Sequence, residues 1–327
     1  MVQYIVRRLL LLIPTLIVIS IIGFIVIQLP PGDYLTSYVT TLEASGMVVD
    51  PAIIAQLKVQ YGVDQPMYVQ YWRWVTALGK GQMGMSLQYN APVRGLIAER
   101  LGLTLALSLA SLLLIWVIAF PVGIYSAIKQ YSIGDYVATF ISFVGVGIPD
   151  FLLALIVMWF AFSKLGFNVG GLFSMNMENA PWGMAKFQDL LKHIWVPMLV
   201  LGMGGTAGLI RIMRANLLDE LRKPYVAAAR ARGVTETRLL LKYPVRVALN
   251  PFVSTVGWTL PAIVSGSTIV SVVLNLPTTG PLLLGALKAQ DMYLAGDLIL
   301  LLGLLTVIGT LISDLLLAWL DPRIRYE

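Results

Sequence analysis

Pro224-Tyr225-Val226-Ala227-Ala228-Ala229-Arg230-Ala231-Arg232-Gly233-Val234-Thr235-Glu236 is a basic, alanine-rich stretch set between segments that are almost wholly apolar. Proline suits the first position of a helix, where the N–H it lacks would go unpaired, and glycine suits the left-handed residue that ends one. The reading is one short helix from about Pro224 to Arg232, stopped at Gly233. Thr235 is placed to cap a second helix, with Glu236 in its first turn, and Pro251 marks the start of the next apolar span. Small side chains at Ala227, Ala228, Ala229 and Ala231 let the first helix lie close against something larger, and a helix this short buries too little to stand alone. Two readings of the hairpin from Arg211 to Pro251 stay open: a cytoplasmic loop made helical by alanine, or a docking element for a partner protein.

Around this hairpin the chain is 58% hydrophobic and only 12% charged, with a mean hydropathy of +0.81. That leaves far too few polar residues to cover a soluble globule of 327 residues. The chain reads as an integral membrane protein. With no cysteine and His193 alone, neither a disulfide nor a thiolate or histidine metal site is available. The net charge of +6 implies no nucleic acid, because in a membrane protein the distribution of charge matters more than its total. No Gly-x-x-x-x-Gly-Lys-Ser/Thr loop is present, so the chain has no evident means of holding ATP phosphates.

Arg7 and Arg8 precede an apolar run from about Leu9 to Leu29, read as a retained first helix with its N-terminus in the cytoplasm. Pro30-Pro31-Gly32-Asp33 breaks it. The stretch up to Glu99 is more polar, with amphipathic helices expected near Pro51–Tyr61 and Pro66–Leu78 and with Trp72 and Trp74 at the membrane interface. It is either a packed outer cap or a contact surface for a substrate-delivering protein. Further spans are expected over Leu101–Ile128 and Tyr136–Phe162, antiparallel neighbours joined by a short turn with Lys129, Gly134 and Asp135. An outer loop, Ser163–His193, anchored by Trp182, leads to a span over Ile194–Ile210. After the hairpin come a span over Phe252–Leu274, an outer re-entrant or loop segment over Asn275–Tyr293, and a last span over Leu294–Leu320. The expected fold is therefore all-α with six transmembrane helices and both termini cytoplasmic, and 14 of the 23 Lys and Arg then fall inside. In domain terms, residues 1–29 form the first membrane helix, 30–99 an extracytoplasmic segment, and 100–327 a five-helix core carrying the hairpin at 211–251.

The pattern Ala-Ala-x-x-x-Gly at Ala228, Ala229 and Gly233 resembles the coupling loop of permease subunits of ATP-binding-cassette importers, often written Glu-Ala-Ala-x-x-x-Gly. Ala227 stands where the glutamate would be. That departure resembles the dipeptide/oligopeptide (peptide/nickel/oligosaccharide) permease family, whose loop tends to read Tyr-Val-x-x-Ala-Arg-Ala-x-Gly; Tyr225, Val226, Ala229, Arg230, Ala231 and Gly233 fit it. The start Tyr4-Ile5-Val6-Arg7-Arg8-Leu9-Leu10 and the end Asp321-Pro322-Arg323-Ile324-Arg325 extend the resemblance over the whole chain. It implies a type I importer permease fold in a prokaryotic cytoplasmic (inner) membrane. It also implies a second permease chain, an extracytoplasmic substrate-binding protein, and two cytoplasmic ATPase subunits that hold ATP and Mg. Tyr225, Ala227, Ala228, Ala229, Arg230, Ala231, Arg232 and Gly233 would then be the ATPase-coupling residues, with no cofactor and no catalysis in this chain. Peptides are the implied cargo, with oligosaccharides the alternative; nickel is the weakest option with a single histidine.

Within the spans Asp150 most needs explaining, since a carboxylate at membrane depth costs roughly 2.5–3.5 kcal/mol on insertion scales unless it meets water or a partner. Either Pro149 opens the helix and Asp150 lines the translocation path, or the carboxylate binds backbone groups that the proline has freed. Asp314 is expected to pair with a loop arginine, and His193 to be an interface residue. Pro121, Pro197 and Pro261 are weak pointers to a pathway, and Gly202, Gly204, Gly205 and Gly208 suit close helix packing. A proton-coupled carrier using Asp150 as relay is a rival of another class, but the internal repeat usual in such carriers is not seen. A membrane hydrolase is disfavoured because no carboxylate pair or metal motif falls within the spans.

Overall fold

A computed structural model describes residues 2–30, 34–36, 39, 52, 58, 62, 64–166, 169–250, 252 and 268–320 of the chain. The first helix, α1, runs Val2–Gln28, followed by α2 (Met67–Gly79) and a hairpin of two short strands, β1 (Met85–Ser86) and β2 (Ala91–Pro92). Helix α3 (Val93–Ile128) leads to α4 (Ile133–Gly147) and α5 (Asp150–Phe160), the last extended by a π turn over Ala161–Leu165. Next come α6 (Met184–His193), α7 (Trp195–Leu221) and the basic hairpin, formed by α8 (Pro224–Ala231), α9 (Glu236–Lys242) and α10 (Pro244–Ala248). Helices α11 (Thr268–Val273), α12 (Thr279–Lys288) and α13 (Met292–Leu320) complete the described part.

Four described helices, α1, α3, α7 and α13, are each long and apolar enough to cross a membrane, and α4 with α5 makes a fifth span if the bent pair counts as one. The span expected over Phe252–Leu274 lies mostly outside the described residues, as do the helix expected at Pro51–Tyr61, Pro261 and the tail from Asp321. The antiparallel pairing of Met85 with Pro92 and Ser86 with Ala91 corrects the all-α expectation locally.

Helix ends also differ from expectation. Helix α3 begins at Val93 rather than Leu101, and α7 runs on to Leu221 rather than stopping at Ile210. Hydropathy marks where a helix is apolar, not where its backbone ladder stops. The expected single span Tyr136–Phe162 is two helices bent by 104°. Ile148, pushed out of the helical region by the proline after it, is extended at φ −93° and ψ 122°. Pro149 then serves as the cap of α5, its carbonyl accepting from the N–H groups of Leu152 and Leu153.

The chain divides into two units. One comprises residues 104–277 and 306–327, the other residues 2–103 and 278–305. In the first, Ile115, Ala119, Leu209, Ile210, Met213, Leu217, Val245, Ala248 and Phe252 form the core. Backbones approach closely here: a Cβ on Gly123 would lie 2.6 Å from that of Met213, and one on Gly205 would lie 3.0 Å from Ile115. Gly202 likewise faces Ile115, at 3.3 Å, but Gly208 faces open space, so it is no packing glycine. The loop before α6 folds on itself: Asp189 accepts from the N–H and hydroxyl of Ser174, both at 2.7 Å. Lys186 donates to the carbonyls of Glu178 and Ala180 and lies over the rings of Phe173 and Trp182. Burial pushes the Asp189 carboxyl up, but the Ser174 hydrogen bonds and the charges of His193 and Lys192 outweigh it and leave it below its usual range.

In the second unit Phe24, Trp74, Val93, Ile97, Leu282, Leu294 and Leu298 are packed together. Trp74 was expected at an interface but is only 2% exposed; Trp72, at 67%, faces outward. The indole N–H of Trp74 donates to Asp297 Oδ1 at 2.8 Å, and the Ser86 hydroxyl donates to Asp291 Oδ2 at 2.6 Å. The outer segment expected at Asn275–Tyr293 contains a regular helix, α12.

Candidate coupling hairpin and translocation break

Helix α8 forms for the local reasons its residues supply. Lys223 is extended ahead of it, Pro224 takes the first helical position, and Gly233 leaves it at φ +76°. The N–H of Arg232 closes on the Ala228 carbonyl at 3.2 Å and that of Gly233 on Arg230 at 3.0 Å. Val226 is the anchor, wholly buried, while Tyr225, Ala227, Ala228, Arg230, Ala231 and Arg232 are exposed and Ala229 is half-buried. The result is an outward surface of methyl groups flanked by guanidinium groups. Thr235 precedes α9 with extended backbone, but its side chain makes no capping hydrogen bond, contrary to expectation. Glu236 instead receives Arg230, with Nε at 3.1 Å, and this guanidinium holds the carboxyl below its usual range. On the other side the Tyr225 hydroxyl donates to Glu220 at 2.6 Å, fastening α8 to the end of α7. Burial first, and then Glu220, push the Tyr225 hydroxyl up.

Helix α7 links this hairpin to the break between α4 and α5. Gly145 packs against Ala207, where a Cβ on the glycine would sit 3.1 Å from the alanine methyl. Arg211 lies over the Phe143 ring at 5.3 Å. Arg214 grips Asp135 with both arms, Nε to Oδ1 and NH2 to Oδ2, each at 2.8 Å. Asp135 also accepts the Tyr131 N–H at 2.9 Å, and its own N–H is capped by the Ser132 hydroxyl. The sequence reading missed this pair, because Asp135 looked like one more charge in a turn and Arg214 like one more in a basic loop. Asp297 was missed too, its partner Trp74 being distant in sequence.

Asp150 opens α5 directly after Pro149 and is exposed. One of its carboxylate oxygens lies 3.3 Å from where a Cβ on Gly204 would be. Among the described residues it has no hydrogen-bonding or ionic partner, so it is not occupied in holding backbone freed by the proline. Ala138 and Ser142 of α4, Leu153 and Val157 of α5 and Met203 and Thr206 of α7 line part of a cavity of about 440 Å³, of which Asp150 is not a lining residue. The hydroxyls of Ser142 and Thr206 donate to their own helices, at Ala138 and Gly202, leaving the cavity wall apolar. His193 ends α6, with Nδ1 2.8 Å from the Asp189 carbonyl oxygen. Asp314 lies in α13, partly buried. Among the described residues no group of three His, Cys, Asp or Glu could hold a metal ion.

Residues 119–326 match the family described as binding-protein-dependent transport system inner membrane component, and residues 1–108 match the N-terminal part described for such membrane components. The chain belongs to this family of inner membrane components. Over the full length of both proteins it is 36% identical to the oligopeptide transport system permease protein AppB of Bacillus subtilis. It is 34% identical to a putative peptide permease of Brucella ovis over 99% of each chain. The glutathione transport system permease protein GsiC of Salmonella typhimurium is 31% identical over 100% of each. In fold, it is similar to a chain of the MetNI methionine ABC transporter solved in inward facing conformations: TM-score 0.54, 19% identity, 70% of this chain and 97% of that one. As a binding-protein-dependent inner membrane component, the chain is the permease part of an ABC transport system, a mostly helical membrane protein crossing the bilayer more than once.

Proposed function

We propose that this chain carries peptides across a prokaryotic inner membrane, forming the path together with a second permease subunit. Two cytoplasmic ATPase subunits, holding ATP and Mg, drive it, and an extracytoplasmic binding protein delivers the cargo. The observation that carries this reading is α8: a short helix anchored by Val226, tied to α7 through Tyr225 and Glu220, and presenting a small-residue, basic surface outward. Such a surface suits a groove in a partner rather than lipid. Tyr225, Ala227, Ala228, Ala229, Arg230, Ala231, Arg232 and Gly233 are its contact residues. Relatives named for oligopeptide, peptide and glutathione transport support peptides as cargo.

In this reading the chain spans the membrane six times with both termini cytoplasmic, the fifth span being the one expected over Phe252–Leu274. Residues 1–29 are the first membrane helix, 30–99 the extracytoplasmic segment and 100–327 the core with the hairpin. Pro149 and Asp150 lie on the translocation path, where a carboxylate with no hydrogen-bonding or ionic partner among the described residues is placed to meet a peptide ammonium group. When the ATPases close, α8 moves with them, and the membrane helices exchange inward-open for outward-open arrangements.

Ala228→Glu tests the docking surface. An exposed alanine is replaced, so folding stability changes by no more than about 0.5 kcal/mol, but a carboxylate enters the contact face. ATP-dependent uptake of a labelled tripeptide is expected to be lost while the chain is still inserted in the membrane. Unchanged uptake would rule out this face as the coupling surface.

A further inference from the structure

We infer that the Asp135–Arg214 ion pair is the clamp through which movement of the coupling hairpin reaches the α4–α5 break. Asp135 and Arg214 are thus positioning residues for transport. This rests on the reading of the chain as an ATP-driven permease, and all the residues concerned lie in one unit of the fold.

Gly204, Ala207, Arg211 and Arg214 recur along α7 at steps of three and four residues, which places them on one face of the helix. Their partners, Asp150, Gly145, Phe143 and Asp135, come in the reverse order along the bent pair, so α4 lies antiparallel to α7 along a continuous seam. Most of this seam is built from contacts that tolerate sliding. A glycine against an alanine and a guanidinium over a ring have no fixed register. Only its end nearest the hairpin is directional, a two-armed guanidinium–carboxylate contact with both hydrogen bonds at 2.8 Å.

That contact is also the best supported. Asp135 is 2% exposed and its carboxylate is held from the other side by the Tyr131 N–H. Tyr131 itself sits at φ +64°, a left-handed turn residue, and Ser132 caps the helix that Asp135 enters. Gly134 lies close beneath the Tyr125 ring, so a Cβ there would require that ring to shift. The carboxylate is therefore fixed to the start of α4, and the arginine to α7 shortly before Leu221, where the chain passes into α8. A displacement of α8 carried along α7 is handed to α4 at this point, and α4 ends at Gly147, directly before the break at Pro149 and Asp150.

An ion pair with a buried carboxylate could instead serve stability alone, and single substitutions would not separate the two roles because each leaves one charge of the pair without its partner. The double variant Asp135→Asn with Arg214→Gln removes both charges together and leaves no such charge. The chain has no cysteine, so Leu152→Cys, at an exposed position of α5, provides this chain's single thiol beside the break. The assembled transporter, reconstituted in vesicles, is assayed for ATP hydrolysis and for the rate of thiol labelling at position 152 with and without ATP. With the clamp intact, ATP should change the labelling rate by about tenfold, and in the double-neutral variant by less than about twofold with ATP hydrolysis retained, a loss in the range typical of coupling between sites. An ATP response in the double variant equal to that with the clamp intact overturns the proposal. So does loss of assembly or of ATP hydrolysis, which would make the pair a folding element. No ATP response even with the clamp intact would instead defeat the ATP-driven reading itself, and the clamp would fall with it.

Discussion

Asp297 sits in an apolar helix, 3% exposed, with one carboxylate oxygen taken by the Trp74 indole and the other lacking a hydrogen-bond partner in the described structure. Removing the donor and removing the charge should therefore have unequal effects. Trp74→Phe leaves a buried carboxyl with neither oxygen bonded and is expected to cost about 1–3 kcal/mol. Asp297→Asn keeps an acceptor for the indole and removes an ionisable group, so its cost should be the smaller of the two. Unfolding midpoints of the two purified variants in one detergent decide the order. Trp74 also marks a limit of reading residues singly. A tryptophan in a half-polar outer stretch reads as an interface residue, and nothing local says that an aspartate far along the chain accepts its N–H.

At the scale of elements, what was legible is what local chemistry controls. Pro224 and Gly233 delimit α8 because each acts within one turn, and Pro149 announces the break because its ring excludes Ile148 from the helical region. The 104° angle was not legible, since it depends on what α5 packs against. Nor was the extension of α7 past Ile210, where polar residues interrupt the hydropathy but leave the backbone ladder intact. The glycines divide the same way, since one sequence signal covers both packed and idle positions. Gly123→Ala would force a methyl into Met213 and the Ile210 carbonyl, and overpacking of that kind costs about 1–3 kcal/mol. Gly208→Ala meets nothing within 4 Å and should be neutral or stabilising by up to about 1 kcal/mol. Thermal unfolding of the two variants side by side checks this, and equal losses would contradict the packing described between α3 and α7.

For the molecule as a whole, composition alone required a membrane, and the coupling motif indicated the family. The span count was harder to read because short helices such as α2, α6 and α12 interleave with the long ones and carry enough apolar residues to blur the boundaries. The unequal lengths of the helices have a further consequence. Helix α4, with 15 residues, is about 22 Å long, shorter than the hydrocarbon core of about 30 Å. Helix α3, with 36 residues, is about 54 Å long and exceeds it. A long helix answers hydrophobic mismatch by tilting, but α4 ends at a fixed corner, so its mismatch places the corner itself at a depth set by the lipid. Thin bilayers bring Pro149 and Asp150 toward the headgroups, and thick ones draw them into hydrocarbon. Acyl-chain length therefore becomes a control on uptake, with a maximum expected at intermediate thickness when vesicles are prepared across a series of chain lengths.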